Sequence, residues 1–323
     1  MREVRPIRSL GLVFPVRNEE AGLPVLFQAL KDFQATMADL AVRVVFVDDH
    51  STDATPDLLR KACADTPWFS FLRLSTWAGS HTAVVAGLDH CREDCAVFLA
   101  ADLQTPLALL PAMIDLCRQG RDVVWGSYES NEAQDRGERL TSRLFHAIMQ
   151  RISSVGELPF QPGFAMLSRR AYTNLVRNSS QRASLIVEIP RLGYSTATLT
   201  YKKPRRFAGT SKWTLSRKLL AFVDAIVASS YLPLRVMAAI GMSVSLLGFG
   251  YAVLLVGMSL LGGGSPLGWR SLMVVVLILG GLQMLMLGII GEYLWRVTET
   301  ASRRALYLIE DSSGLPARDD IIQ

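Results

Sequence analysis

Short apolar runs alternate with amphipathic stretches along the first two hundred residues. Leu10-Gly-Leu-Val-Phe-Pro15 is an apolar run closed by proline, and Val42-Arg-Val-Val-Phe-Val47 is a second, rich in β-branched residues. Further runs at 69–74, 96–100 and 122–126 predict strands. Thr196-Ala-Thr-Leu-Thr-Tyr201 alternates with the period of two of a strand. Between them, helical periodicity predicts helices over 22–37, 54–64, 81–92 and 107–118, and a further helix covers about 139–152, carrying Arg139, Arg143 and Arg151. Strands alternating with helices imply a doubly wound, mostly parallel α/β sheet.

The pattern changes after residue 210. Lys202, Lys203, Arg205, Arg206, Lys212, Arg217 and Lys218 follow one another with no acid between them. Trp213, Leu219, Leu220, Val223, Ile226 and Val227 recur at helical spacing, so 211–232 reads either as an interfacial amphipathic helix or as an ordinary surface helix. Its place directly before a long apolar span favours the interfacial reading. Val236–Leu261 and Leu272–Gly291 are uncharged apolar stretches. Each meets the roughly 20 residues a membrane helix needs. They predict transmembrane helices over 233–261 and 271–294, joined by the turn Gly262–Arg270. A buried hairpin is the alternative, but the rest of the chain is too small to cover two such helices on all sides. Lys and Arg cluster before the first span and after the second, which predicts cytoplasmic termini for an integral membrane protein. The tail, 295–323, is expected to be cytoplasmic and disordered from about 311.

The chain has 323 residues, 50% of them hydrophobic, a mean hydropathy of +0.26 and a net charge of +5. The apolar excess lies in 233–294, leaving 1–210 with the balance of a soluble domain. The basic charge abuts the membrane segments, which argues for an anionic membrane and against nucleic acid as the partner. Cys63, Cys91, Cys95 and Cys117 lack metal-like spacing and are expected to pack as reduced core residues. The N-terminus lacks the apolar region of a signal peptide, which is consistent with a first domain on the cytoplasmic side.

Candidate chemistry gathers where strands end. Asp48-Asp49 follows the second strand and Asp102 the strand 96–100, with Gln104 two residues on. In open α/β sheets ligands bind at that edge. Oxygen ligands there suit a hard divalent cation shared with a phosphate. Equally, Asp102 could be a solvated residue capping the helix from Leu107. Arg17 could face an anion or pair with Glu20. His81 reads as a helix-start residue, and Trp77 and Trp125 as core residues.

Taken together, the motifs resemble the family 2 glycosyltransferases of the dolichol-phosphate mannose synthase and polyisoprenyl-phosphate glycosyltransferase type. Phe14-Pro-Val-Arg-Asn-Glu19 is similar to the family's Pro-x-Tyr-Asn-Glu, Val47-Asp-Asp-His-Ser51 to its Val-Asp-Asp-x-Ser, and Ala101-Asp-Leu-Gln-Thr-Pro106 to most of its Asp-Ala-Asp-Leu-Gln-x-Pro. Gly209-Thr-Ser-Lys-Trp213 matches its Gly-x-Ser-Lys-aromatic, and Tyr231-Leu-Pro-Leu-Arg235 and Gly291-Glu-Tyr-Leu-Trp-Arg296 are similar to the residues flanking its membrane helices.

The resemblance implies a GT-A domain over 1–210 that takes a nucleotide sugar and transfers the sugar to polyisoprenyl phosphate (undecaprenyl or dolichyl), with inversion. It implies that Pro15, Arg17, Glu19, Asp49, Ala101 and Gln104 bind the donor. Asp102 and Gln104 would hold Mg²⁺ or Mn²⁺, and Asp102 and Lys212 would be the catalytic groups. Arg139, Ser142 and Arg143 would meet the acceptor phosphate. The sequence departs from the pattern at Ala100, where the family has its first Asp, and at Arg17, where it has Tyr. Tyr128 and Glu138 stand where some members carry arginines. Ala100 implies a weakly held cation, and it motivates the alternative of a catalytically weakened member acting as a membrane scaffold or regulatory partner. A homo-oligomer is compatible with the sequence.

Overall fold

A computed structural model of the chain describes residues 6–102, 104–128, 162–179, 184–202, 239–244, 246–251, 253–254, 269–301 and 305–315. The chain divides into two compact units, Met1–Leu220 with Ala305–Gln323, and Ala221–Arg304.

In the first unit the described strands are β1 (Ser9–Val16), β2 (Ala41–Asp48), β3 (Phe69–Leu74), β4 (Cys95–Phe98), β5 (Val123–Tyr128), β6 (Pro162–Ser168), β7 (Thr196–Tyr201) and β8 (Ile309–Ser313). The helices are α1 (Leu23–Thr36), α2 (Thr55–Asp65), α3 (Ser80–Asp89), α4 (Leu110–Arg118), α5 (Arg169–Asn178) and α6 (Leu185–Arg191). The strands form one sheet in the order β7-β5-β6-β4-β1-β2-β3-β8. β4, β1, β2 and β3 run parallel, as do β5 and β7. β6 is antiparallel to β4 and β5, and β8 is antiparallel to β3. The sheet is therefore mixed, with a parallel half that matches the expected winding. β1 lies between β2 and β4, so the chain crosses over β1 on its way from β3 to β4. That crossing opens the crevice where such sheets bind ligands.

Strand alternation sorts the core into two layers. Leu10, Leu12 and Phe14 of β1, with Val44 and Phe46 of β2, join Leu26 and Leu30 of α1, Leu59 of α2 and Met113 of α4. Val13, Val45, Val47 and Leu72 face the other way, onto Val84, Val85 and Leu88 of α3, Leu175 of α5 and Ile189 of α6. Burial on both faces explains why these strands read as continuous apolar runs. On the first face Phe46 meets Phe69 edge to face at 5.2 Å. On the second, α3 lies so close to the sheet that a Cβ at Gly87 would overlap Val13 and sit 3.0 Å from Val47. This seats the second half of α3 directly on β1 and β2.

Some elements differ from expectation. Residues 107–118 split into a 3-10 turn, Leu107–Leu109, and α4. β6, α5 and α6 are not separately readable in the mixed stretch 163–203. The largest departure is β8. Part of the tail expected to be disordered, up to Leu315, is described, and Ile309–Ser313 pairs with β3. All four cysteines are free and buried, as expected, and Cys95 lies in β4. Burial pushes the Cys63 thiol up to about 11 and Cys117 to about 12.

In the second unit, residues 239–244 and 246–251 are helical, and α7 spans Trp269–Ala301. A Cβ at Gly241 would lie 3.1 Å from the Met286 side chain of α7. Leu272, Val275, Val276, Met284, Leu287 and Ile290 of α7 are exposed. Counting only the described residues, no helix is long and apolar enough to cross a membrane. The helix read at 139–152, the basic stretch 203–232 and the turn 262–268 lie outside the described residues.

Asp122 holds the outer half of the sheet together. It is fully buried at the start of β5. Arg170, at the start of α5, pairs with it, and it accepts the Ser168 hydroxyl at 2.9 Å and the Ser195 hydroxyl at 3.1 Å. Burial pushes its pKa up, but the hydrogen bonds from Arg170, Ser168 and Ser195 and the Arg170 charge outweigh it and leave the carboxyl below 3.8. A depressed folded-state pKa adds stability above the unfolded value, and that stability is lost as pH falls through the folded value. Asp122→Asn is expected to unfold at lower temperature than wild type at pH 7, with the gap closing as pH drops below 3.8. A gap independent of pH would contradict this.

Candidate functional site

The site is built outward from Asp48 and Asp49, which end β2 with side chains 0% and 4% exposed. Adjacent buried carboxylates are tolerated only when donors surround them. The Asp49 oxygens accept the Ala78 N–H at 2.7 Å and the Gly79 N–H at 3.0 Å. Gly79 has φ of +91°, a conformation that favours glycine and turns the chain into α3. Asp48 accepts the Ser51 N–H at 3.0 Å and an Arg73 N–H at 3.2 Å. Burial raises the Asp48 pKa, and Ser51 and Arg73 offset part of the rise.

The β1–α1 loop is fastened to the same place. The Asn18 N–H donates to the Ser51 hydroxyl at 2.9 Å, and the Thr52 N–H donates to the Asn18 side chain at 2.9 Å. Asn18 has φ of +52°, within the left-handed region that Asn tolerates. The Glu19 N–H donates to Thr55 Oγ1 at 2.9 Å, and the Glu19 carbonyl accepts the Gly22 and Leu23 N–H groups that open α1. Pro15 is partly buried at the end of β1, where its missing N–H costs no interior ladder bond.

Arg17 stands clear of this network. Its guanidinium lies over the Trp77 ring, 4.9 Å from the centroid. The Glu20 carboxylate instead accepts the Ala54 N–H at 3.0 Å. The core reading of Trp77 is corrected too, since it is 65% exposed on the β3–α3 turn, whereas Trp125 is core at 1%. His81 is a helix-start residue as expected, in the first turn of α3, and accepts the Leu185 N–H at 3.3 Å.

On the other side of β1, the ladder continues to Leu99, whose N–H donates to the Val13 carbonyl at 2.9 Å. The chain then leaves the sheet. Ala100 is exposed, Ala101 buried, Asp102 partly exposed and Gln104 nearly buried. One Asp102 oxygen accepts the Gln104 N–H at 3.1 Å, a tight turn that fixes the carboxylate. The helix-capping reading does not hold, because the turn at Leu107 follows Pro106 and carries no side-chain cap. Sequence reasoning missed Tyr201. It ends β7 opposite Tyr128 of β5, with the rings 6.5 Å apart. Burial, the neighbouring Tyr128 and the Asp102 charge raise its pKa, while a hydrogen bond with Thr105 opposes them, so the phenol sits beside the Asp102 turn. The alternation at 196–201 identifies the strand, but only the β5–β7 register brings its last residue to this edge.

The carboxyl edge thus gathers Pro15, Arg17, Glu19, Asp49, Ala101, Asp102 and Gln104 on the ends of adjacent strands β4, β1 and β2. Arg139, Ser142, Arg143 and Lys212 lie outside the described residues. Among the described residues no three His, Cys, Asp or Glu side chains converge as a metal cluster. Asp102 and Gln104 still fit a hard cation in kind, as a partly exposed carboxylate and an amide two residues on in the same turn. Such an ion would draw its other ligands from a bound anion.

Residues 12–176 match the Glycosyl transferase family 2 family. The chain is 32% identical over 328 residues to an undecaprenyl-phosphate 4-deoxy-4-formamido-L-arabinose transferase of Pseudomonas syringae, covering 98% of this chain and 95% of that one. It is 29% identical over 304 residues to the SfII prophage-derived bactoprenol glucosyl transferase of Shigella flexneri, covering 94% and 98%. Among solved structures, glucosyl-3-phosphoglycerate synthase from Mycobacterium tuberculosis superposes with a TM-score of 0.47 at 20% identity, covering 69% of this chain and 77% of that one.

The clamp on the β3–α3 turn is open to direct test. Asp49→Asn replaces one acceptor oxygen with an NH₂ group facing a backbone N–H, at a cost of about 1–3 kcal/mol. Amide hydrogen exchange at Ala78 and Gly79 is expected to accelerate by roughly tenfold or more. Unchanged protection of both amides would contradict the clamp.

Proposed function

The chain belongs to glycosyl transferase family 2, and from that membership we propose that it transfers a sugar from a nucleotide-sugar donor to the phosphate of a polyisoprenyl lipid, inverting the anomeric centre. The observation that carries this reading is that the Asp102–Gln104 turn, Arg17 and the turn held by Asp49 all stand at the carboxyl ends of the adjacent parallel strands β4, β1 and β2. The relatives support it too, since they are named for transfer involving bactoprenol or undecaprenyl phosphate. The mixed α/β sheet is consistent with a GT-A domain.

Each part has a chemical task in this reading. Pro15, Glu19 and Asp49 shape the nucleoside end of the crevice, and Arg17 offers positive charge to the donor. Asp102 and Gln104 would hold a divalent cation, which would offset the charge that grows on the diphosphate leaving group. Lys212 would supply a further cation to offset that charge. The lipid phosphate is already an anion, so the acceptor needs no strong general base. Arg139, Ser142 and Arg143 are the acceptor-phosphate candidates.

We place the reaction at the cytoplasmic face of a membrane. The complete sequence of α7 contains the uncharged run Leu272–Gly291, and the exposed apolar side chains of that helix are of the kind lipid covers. Val236–Leu261 would form the other arm, with the Gly241–Met286 approach between them.

A second reading, a weakened member acting as a scaffold, rests on Ala100. This exposed residue stands where the family pattern has a carboxylate.

Asp102→Asn is expected to cut turnover by about 10²-fold or more, as loss of a key electrostatic stabiliser does. Ala100→Asp is expected to lower the Mg²⁺ or Mn²⁺ concentration giving half-maximal rate. Full metal-dependent turnover by Asp102→Asn would contradict the assignment, and wild-type turnover undiminished in chelator would shift the diphosphate contact to Arg17 and Lys212. For topology, a single cysteine at residue 265 is expected to react with an impermeant thiol reagent from the non-cytoplasmic side. Labelling from the cytoplasm alone would overturn the hairpin.

A further inference from the structure

The Asp48–Ser51 turn is linked through Arg73 to a residue from the far end of the chain. β8 lies antiparallel along β3, pairing Phe71 with Ser313, Leu72 with Ser312 and Arg73 with Asp311, with an irregularity after Arg73. The contact extends to the start of the turn that Asp49 holds, because the Ser75 N–H donates to the Leu308 carbonyl at 2.9 Å. The Arg60–Asp311 ion pair, at 2.8 Å, pins the strand from α2.

Arg73 connects this strand to the site. Its side chain is 17% exposed and its guanidinium spans three segments. Nε donates to Glu310 at 2.9 Å, one Nη to the buried Asp48 carboxylate at 3.2 Å, and the other to the Ser51 carbonyl at 3.3 Å. Ser51 in turn holds Asn18, and Asp48 adjoins Asp49. A planar guanidinium holds its donors in a fixed fork and so sets the relative positions of its acceptors, which the rotatable ammonium of a lysine does not. Among the described residues it is Glu310 that holds the Nε edge in register with Asp48 and Ser51.

We propose that Arg73 and Glu310 are positioning residues for nucleotide-sugar binding. The C-terminal strand β8 would complete the donor site by orienting Arg73, which sets the Asp48–Ser51 turn and through it the β1–α1 loop. This rests on the functional reading above. It predicts an effect confined to the donor, since both residues act through the Asp48–Ser51 turn and the β1–α1 loop, which the functional reading assigns to the donor. Supporting partners of this kind change affinity or activity by roughly 10–100-fold.

The test uses the full-length protein in detergent or vesicles and measures KM for nucleotide sugar and for polyprenyl phosphate separately, with kcat and melting temperature. Arg73→Ala and Glu310→Gln are each expected to raise the donor KM about tenfold, with the lipid KM unchanged. The double variant is expected to be no worse than Arg73→Ala alone, because both act along one path. If Arg73→Ala does not fold, Glu310→Gln, a change at a half-exposed residue, carries the test by itself. The inference is overturned if Glu310→Gln leaves donor KM at the wild-type value, if donor and lipid KM rise together, or if the single effects multiply in the double variant. A wild type that binds no nucleoside diphosphate would overturn the functional reading as well. Normal wild-type binding with unaffected variants would overturn only this inference.

Discussion

Two neighbouring carboxylates at the end of a buried strand must be surrounded by donors or they cannot remain there. Asp48 and Asp49 meet that constraint by recruiting three loops. Asp49 takes the two backbone N–H groups of the β3–α3 turn. Asp48 takes the turn at Ser51 and the Arg73 guanidinium. Ser51 then fixes Asn18, and Asn18 fixes Thr52. The desolvation cost of the acids is thereby converted into loop order. A site whose task is to hold a flexible, highly charged donor depends on that order being set before the ligand arrives.

The parallel half of the sheet gives this network its setting. β1, between β2 and β4, brings the Pro15–Glu19 loop between the acid pair and Asp102. α3, which the Gly79 turn opens, packs closely on β1 and β2 at Gly87. The outer strands add what a purely parallel sheet would lack. β6 reverses direction, so β5 and β7 again run parallel to β4, and Tyr128 and Tyr201 finish at the same edge as Asp102.

Much of this is legible in the sequence where burial writes a pattern. β3 matches its run to the residue and β1, β2, β4 and β5 fall within two residues, because strands buried on both faces must be apolar throughout, whereas β7 is legible from its alternation, one face being more exposed than the other. The clusters at Asp48-Asp49 and Asp102 are legible for the complementary reason, as polar residues ending such runs. β8 is not, since Ile309-Glu-Asp-Ser-Ser313 is an edge strand held by backbone pairing and ion pairs, with one apolar residue to signal it. Trp77 is misread because composition does not reveal that a large aromatic is stacked on an arginine at the surface. Arg73 gives no signal, because its role depends on a partner 237 residues away. Chemistry at the ends of buried strands can be read from sequence, whereas chemistry assembled across distant segments needs the fold.

The central claim is that this edge serves sugar transfer onto a lipid phosphate. The most direct measurement incubates the purified full-length protein with polyprenyl phosphate, divalent metal and a panel of nucleotide sugars, and reads the lipid by mass spectrometry. The account predicts that one donor adds the mass of a single sugar residue to the polyprenyl phosphate, with release of the free nucleotide. Tight nucleotide binding with no sugar on the lipid from any donor would contradict it and favour the scaffold reading.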